Sequence, residues 1–246
     1  MLAACFRAAG PEADTIKISR GIAGRLGKTG RMDYSFWMEI PESIVKNGRE
    51  QALTSLGRIE VEAVCFRSGA TYDPDHQVFT LQSFGQPVHI ARNDGRIESP
   101  TTVGHLLTTE LAELFNLSVL WYLCQAKDAA CSGRLLHPNE LPGGDMFGKG
   151  THVLPLDALA DRFGQAPQNL VHTASAIAAE PQELGDAAVR LWPFPRLPVV
   201  ILLWGADEEF PARASLLLDS TAHLHLPVDI LWATSMVSLL LLLRLE

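Results

Sequence analysis

Cysteine is scarce, basic residues are outnumbered and long apolar runs are missing, and each shortage removes a class of function. The chain has four cysteines, Cys5, Cys65, Cys124 and Cys131, and no two stand at C-x-x-C spacing. That excludes a zinc knuckle or an iron–sulfur loop of the usual spacing. A disulfide framework is excluded as well, so a reducing, cytoplasmic compartment is the expectation. Cys124 and Cys131, seven positions apart, read as two structural thiols, with a metal or redox pair as the alternative. Lysine and arginine total 20 against 28 acids, a formal net charge of −8. A phosphate-backbone binder needs a basic face, so nucleic acid is not an expected partner. A membrane-spanning helix needs roughly 20 apolar residues. The nearly unbroken C-terminal apolar run from Ile230 to Leu243 spans 14 positions. It reads as a buried terminal helix, with a partner- or membrane-docking helix as the alternative; a spanning role is not expected. Met1–Gly10 has no basic region before its apolar patch and does not make a signal peptide.

Catalytic signatures are missing too. No G-x-S-x-G elbow, Walker loop, dinucleotide-binding fingerprint or H-E-x-x-H occurs. The text from Gly21 to Gly30 comes nearest to a phosphate loop. Only two residues separate Gly24 from Gly27-Lys28-Thr29, however, and no apolar strand precedes it. It reads as a flexible basic segment.

What is present is the composition of a globular core, 47% hydrophobic and 20% charged in 246 residues. Residues 1–48 read as an irregular N-terminal segment and 49–246 as a single α+β domain. Leu53, Leu56, Ile59 and Val64 recur at helical spacing, predicting a helix over 49–67. Residues 77–98 read as a small antiparallel meander, turned at Gly85-Gln86-Pro87 and Asn93-Asp94-Gly95. Pro100-Thr101-Thr102 opens one long helix with a broad apolar face reaching Cys124. Leu135-Leu136 reads as a short strand, and 155–163 and 168–180 as helices. Gly185-Asp186-Ala187-Ala188 opens a further unit that ends at Trp192-Pro193. Val199–Trp204 is apolar on both faces and reads as a central strand. Ala214–Leu218 is a second strand, and a last helix starts at Pro227. The expected architecture is α+β: a mainly antiparallel mixed sheet of about five strands covered by four to six helices.

Three places could carry chemistry. Val199–Trp204 runs into Asp207-Glu208-Glu209 and stops at Pro211. Adjacent carboxylates repel, so they call for water, a cation or basic partners. Paired glycines at Gly143 and Gly144, followed by Met146 and Phe147, would let backbone approach a flat ligand. His223 and His225, if extended, share one side, and with Asp219 they outline a transition-metal site; His152 is a further candidate ligand.

These motifs also resemble a family. Leu141-Pro142-Gly143-Gly144, Gly185-Asp186-Ala187-Ala188, Phe194-Pro195-Arg196-Leu197-Pro198, Leu203-Trp204 with Asp207–Pro211, Leu218-Asp219-Ser220 and Leu226-Pro227 with Asp229 stand in that order. With Gly69–Pro74 and Phe79-Thr80-Leu81 upstream, they resemble the domain of unknown function 3786 family over residues 50–242. The resemblance implies anaerobic bacteria and archaea, and no agreed reaction. Some members carry a separate cysteine-rich segment similar to four-iron–four-sulfur domains of corrinoid and electron-transfer proteins. This chain has no such cysteine run, so the cluster is not carried over; an iron–sulfur or corrinoid protein remains an implied partner.

The leading expectation is a soluble protein of anaerobic metabolism, metal-associated or not, that binds a cofactor or other small-molecule ligand. Its pocket would be lined by Gly143, Gly144, Phe147, Asp186, Trp204, Asp207, Glu208 and Glu209, with Asp219, His223 and His225 as the metal candidates. One alternative is a hydrolase- or lyase-type enzyme using Asp207, Glu208 or Glu209 as general acid/base, through a carboxylate pKa raised by its neighbours. The other is a docking module that uses the C-terminal helix.

Overall fold

The computed structural model describes residues 42–148 and 153–245, and upstream only two backbone dipeptides, Arg25–Leu26 (β1) and Met32–Asp33 (β2), paired antiparallel. Most of the 1–48 segment, the rest of the glycine text over 21–30 and His152 lie outside the described residues.

The helix expected over 49–67 is two helices, α1 (Glu42–Leu56) and α2 (Val61–Ser68). The meander forms as expected and gains a strand: β3 (Thr71–Asp73), β4 (Val78–Ser83), β5 (Gln86–Ala91) and β6 (Ile97–Glu98) pair in chain order. Phe84 and Gly85 make the two-residue β4–β5 turn, with φ of 50° and 71°. Both signs fit the primed turns whose twist matches a hairpin. A Cβ on Gly85 would lie 2.6 Å from Ala178 Cβ, so only glycine lets this tip close on its neighbour.

The long helix breaks in two. Thr101 caps α3 (Thr102–Thr109) by accepting from Gly104 N at 3.0 Å. At its far end Thr108 and Thr109 bond back to the carbonyls of Gly104 and His105, competition that loosens a helix terminus. α4 (Ala112–Gln125) then restarts and is buried nearly all round.

A five-stranded antiparallel sheet follows: β7 (Leu135–Leu136), β11 (Arg213–Asp219), β10 (Leu197–Trp204), β9 (Ala187–Phe194) and β8 (Glu180–Gln182), in that spatial order. The protein is therefore α+β, and its strands divide between two antiparallel sheets. Phe84 N donates to Trp192 O at 2.7 Å, joining the four-stranded sheet to β9. Helices α5 (Leu156–Phe163) and α6 (Gln168–Ala174) pack on the larger sheet. The segment 168–180 does not stay helical: a 3₁₀ turn and Ala178 at φ 51° end it, and Glu180–Gln182 becomes the edge strand. The Glu180 carboxylate explains the docking, accepting from Trp192 Nε1 at 2.9 Å and pairing with Arg190 at 3.3 Å. Tertiary contacts override the helix propensity of its alanines.

The tight turn Pro195-Arg196 between β9 and β10 is fastened by Tyr122. The Tyr122 hydroxyl donates to Ser68 O at 3.2 Å and accepts from Arg196 N at 3.1 Å, while its ring stacks on Phe194 with centroids 4.4 Å apart. Burial holds this phenol far above its ordinary pKa, so it stays a neutral donor.

After β11 come α7 (Ala222–His225) and α8 (Val228–Arg244). Every residue of α8 from Asp229 to Leu243 is buried, against α4, α5, α6, α7 and β9. The docking-helix alternative is corrected here, because the apolar surface a partner would need is used inside the chain. Arg162 closes the helix end, its guanidinium donating to the carbonyls of Leu242, Leu243 and Leu245. Among the described residues no helix is long and apolar enough to cross a membrane.

Candidate functional site

The acids cluster at one end of the larger sheet. As β10 leaves the core, Asp186 Oδ2 accepts from Gly205 N at 2.8 Å, Asp186 N donates to Leu203 O at 3.0 Å and Ala206 N donates to Gly164 O at 3.1 Å. The chain is thereby pinned between α5 and the β8–β9 connection. The next residues fold on themselves. Asp207 Oδ1 accepts from Phe210 N at 2.7 Å and Glu209 N at 2.8 Å, and Asp207 N donates to Phe210 O at 3.0 Å. Asp207, Glu208, Glu209 and Phe210 are all exposed, Phe210 at 66%. Beside them opens a hollow of about 230 Å³ between Asp161, Gly164 and Gln165 on one side and Ala206, Pro211 and Ala212 on the other. Trp204 is half-buried beneath the Arg213 guanidinium, 4.5 Å above its ring.

The backbone N–H groups of Phe210 and then Glu209 hold the Asp207 carboxyl below its ordinary pKa. The general acid alternative needed the opposite shift, so Asp207 lacks the physical route that reading relied on.

The glycine pair sits elsewhere. A Cβ on Gly143 would lie 3.4 Å from the side chain of Val228, the first residue of α8, and Phe147 is buried. A Cβ on Gly144 would lie 1.7 Å from Pro138 O, so backbone approaches backbone here. The glycines thus serve a close chain crossing and lie outside the residues that line the hollow. Gly144→Ala is expected to cost about 1–3 kcal/mol, as overpacking does. A thermal melt checks it: an unchanged Tm would return Gly144 to the ligand-contact reading.

The third group also differs from its sequence reading. Thr221–Leu226 is not extended but carries the single turn α7, which leaves His223 exposed and His225 buried. The two rings therefore do not share a side. Asp219, 1% exposed, accepts five hydrogen bonds: Thr221 Oγ1 at 2.7 Å, Gly133 N at 2.8 Å, Ser132 Oγ and Thr221 N at 2.9 Å, and Ser132 N at 3.1 Å. Burial alone would raise its pKa, but the donors of Thr221 and Ser132 outweigh it, and the carboxyl is held below its ordinary range. Among the described residues no three His, Cys, Asp or Glu side chains gather to hold a metal ion.

The family model described as Domain of unknown function (DUF3786) matches residues 60–239. The chain belongs to the DUF3786 family. No curated protein and no solved structure is significantly similar to it. The DUF3786 match takes in the acidic turn, the glycine pair and the Asp219 cluster alike. Within this DUF3786 region Cys65, Cys124 and Cys131 are free thiols. Cys124 donates to Ala52 O at 3.2 Å and Cys131 to Arg196 O at 3.7 Å, so the two serve different neighbours.

Asp161 and Phe210 join the acidic end without having been singled out in sequence. Phe210 had a signal, an aromatic trapped between acids and Pro211; Asp161 had none, since it reads as one more polar residue on a helix. Ser132 and Gly133 were equally silent, lying 87 and 86 positions from Asp219.

Proposed function

We propose that this DUF3786 protein is a ligand-binding protein that holds a cationic organic group at the acidic end of its larger sheet. One observation carries this: three exposed carboxylates and Phe210 stand on a turn closed by its own hydrogen bonds, against an open hollow that also contains Asp161. Such a site offers charge to an amine or guanidinium and an aromatic edge to the carbon chain behind it. Its openness suits a group presented on a longer ligand or on a partner protein. The setting in anaerobic metabolism, and an iron–sulfur or corrinoid protein as the partner presenting that group, rest on the family resemblance.

The test is a ¹H–¹⁵N titration with spermidine and with a lysine-rich peptide at low salt. Amide shifts are expected at Gly164, Ala206, Glu209, Phe210 and Ala212. The triple variant Asp161→Asn, Glu208→Gln, Glu209→Gln keeps the Asp207 turn and is expected to bind about tenfold more weakly, from exposed pairs worth up to about 1 kcal/mol each. No shifts with either probe, or equal affinity in the variant, would defeat the proposal.

A further inference from the structure

We propose that His225 and Asp219 form an acid-released latch on the connection between α4 and β7. Residues 126–134 cross the molecule without regular structure and are held by groups distant in sequence. Lys127 N donates to His225 Nδ1 at 3.4 Å, Asp128 pairs with Arg196 at 2.9 Å, and Ser132 and Gly133 donate to Asp219. Ser132 Oγ also bonds Ser220 Oγ at 2.8 Å. The inference is independent of ligand binding at the acidic turn.

The latch depends on which ring nitrogen carries the proton. Nδ1 accepts from Lys127 only when it is bare, so the neutral ring carries its hydrogen on Nε2. Nε2 is buried and has no partner among the described residues. Adding a proton to Nδ1 would set two donors face to face, N–H against N–H, and put a charge on a fully buried ring. The charged and titratable groups around the ring are Arg196 at the β9–β10 turn, Asp219 at the end of β11, His223 on α7 and Lys127. Asp219 is the one anion among these, and its oxygens already accept five hydrogen bonds. Of the other elements touching α7, β10 carries no titratable group, α4 carries Glu113 in its first turn with Tyr122 and Cys124 further on, and α8 carries Arg244 and Asp229, whose Oδ2 is buried without a partner among the described residues. Burial first, then Arg196 and His223, lower the His225 pKa against the pull of Asp219. The native arrangement therefore favours the neutral ring, and protonation is accommodated by releasing Lys127.

Release occurs in two steps. As pH falls below about 6.5, the ordinary value for histidine, the Lys127 anchor begins to weaken, and it is lost first, as pH passes through the lower native value of His225. Protonation of Asp219, in a window below about 3.9, frees Ser132 and Gly133 second.

Amide hydrogen exchange over 126–133, corrected for intrinsic pH dependence, at about pH 7.5 and about pH 5.5 tests the first step. Protection is expected to fall severalfold at the lower pH, while β10 stays protected. His225→Asn can still accept from Lys127 but cannot titrate, so it should abolish the change. Equal protection at both pH values, or the same loss in His225→Asn, would overturn the latch. Should that variant fail to fold, NMR of the wild-type chain decides it. The His225 ring and the Lys127 amide should titrate with one midpoint, and separate midpoints would overturn it.

Discussion

Replacing Asp219 with alanine is expected to lower stability by about 3–5 kcal/mol. The carboxylate lies beneath one layer of chain, sealed by Ser132, Gly133 and Thr221. Removing it strands three backbone N–H groups and the Thr221 hydroxyl at once, while the Ser132 hydroxyl keeps Ser220. A fall of roughly 10 °C in Tm is expected for a chain of this size. Asp219→Asn keeps one oxygen and is expected to lose less. The pH dependence has a definite sign. The native pKa lies below the ordinary 3.8, so the unfolded chain takes up a proton first as pH drops. Asp219's contribution is fully present above about 3.9 and disappears as pH falls through the native value. His225 acts in an earlier window: its native pKa lies below 6.5, so the unfolded state gains protons, and stability declines, once pH drops below that value. Urea denaturation of wild type, Asp219→Ala and His225→Asn across this range separates the two. A wild-type stability that is flat between about pH 7 and pH 5 would contradict the assignment to His225.

Leu240→Ala is expected to cost about 3 kcal/mol. Leu240 is fully buried in the middle of α8. A helix that docked on a partner would lose binding on this substitution and leave the isolated chain's stability nearly unchanged. A helix that fills its own core lowers the urea midpoint with little change in slope. An unchanged midpoint would restore the docking reading.

How much was legible follows from how local each signal is. Val199–Trp204 announces a central strand because both of its faces are apolar, and Thr101 announces a helix start because a hydroxyl there meets free N–H groups. The acidic turn was legible as a place, since three adjacent carboxylates cannot be buried unpaired. β9 was not: Arg190, Trp192 and Pro193 interrupt its apolar text, and it becomes a strand by pairing on both edges with β10 and β8. The glycine pair was read as a ligand loop because nothing at Gly144 reveals that Pro138 O passes beside it. His223 and His225 were read as an extended pair because H-x-H says nothing about the single turn that separates them.

The sequence by itself determined the α+β class, the strands flanking Asp207–Glu209, and the placement of an apolar terminal helix in a core, because side-chain periodicity and local charge repulsion act between near neighbours. Only the tertiary structure decided that the strands form two sheets, that the glycine pair faces Pro138 and Val228, and that Asp219 binds a segment 87 positions upstream. Those outcomes depend on which buried donors find acceptors after the chain closes on itself, and that pairing leaves no mark on either partner alone.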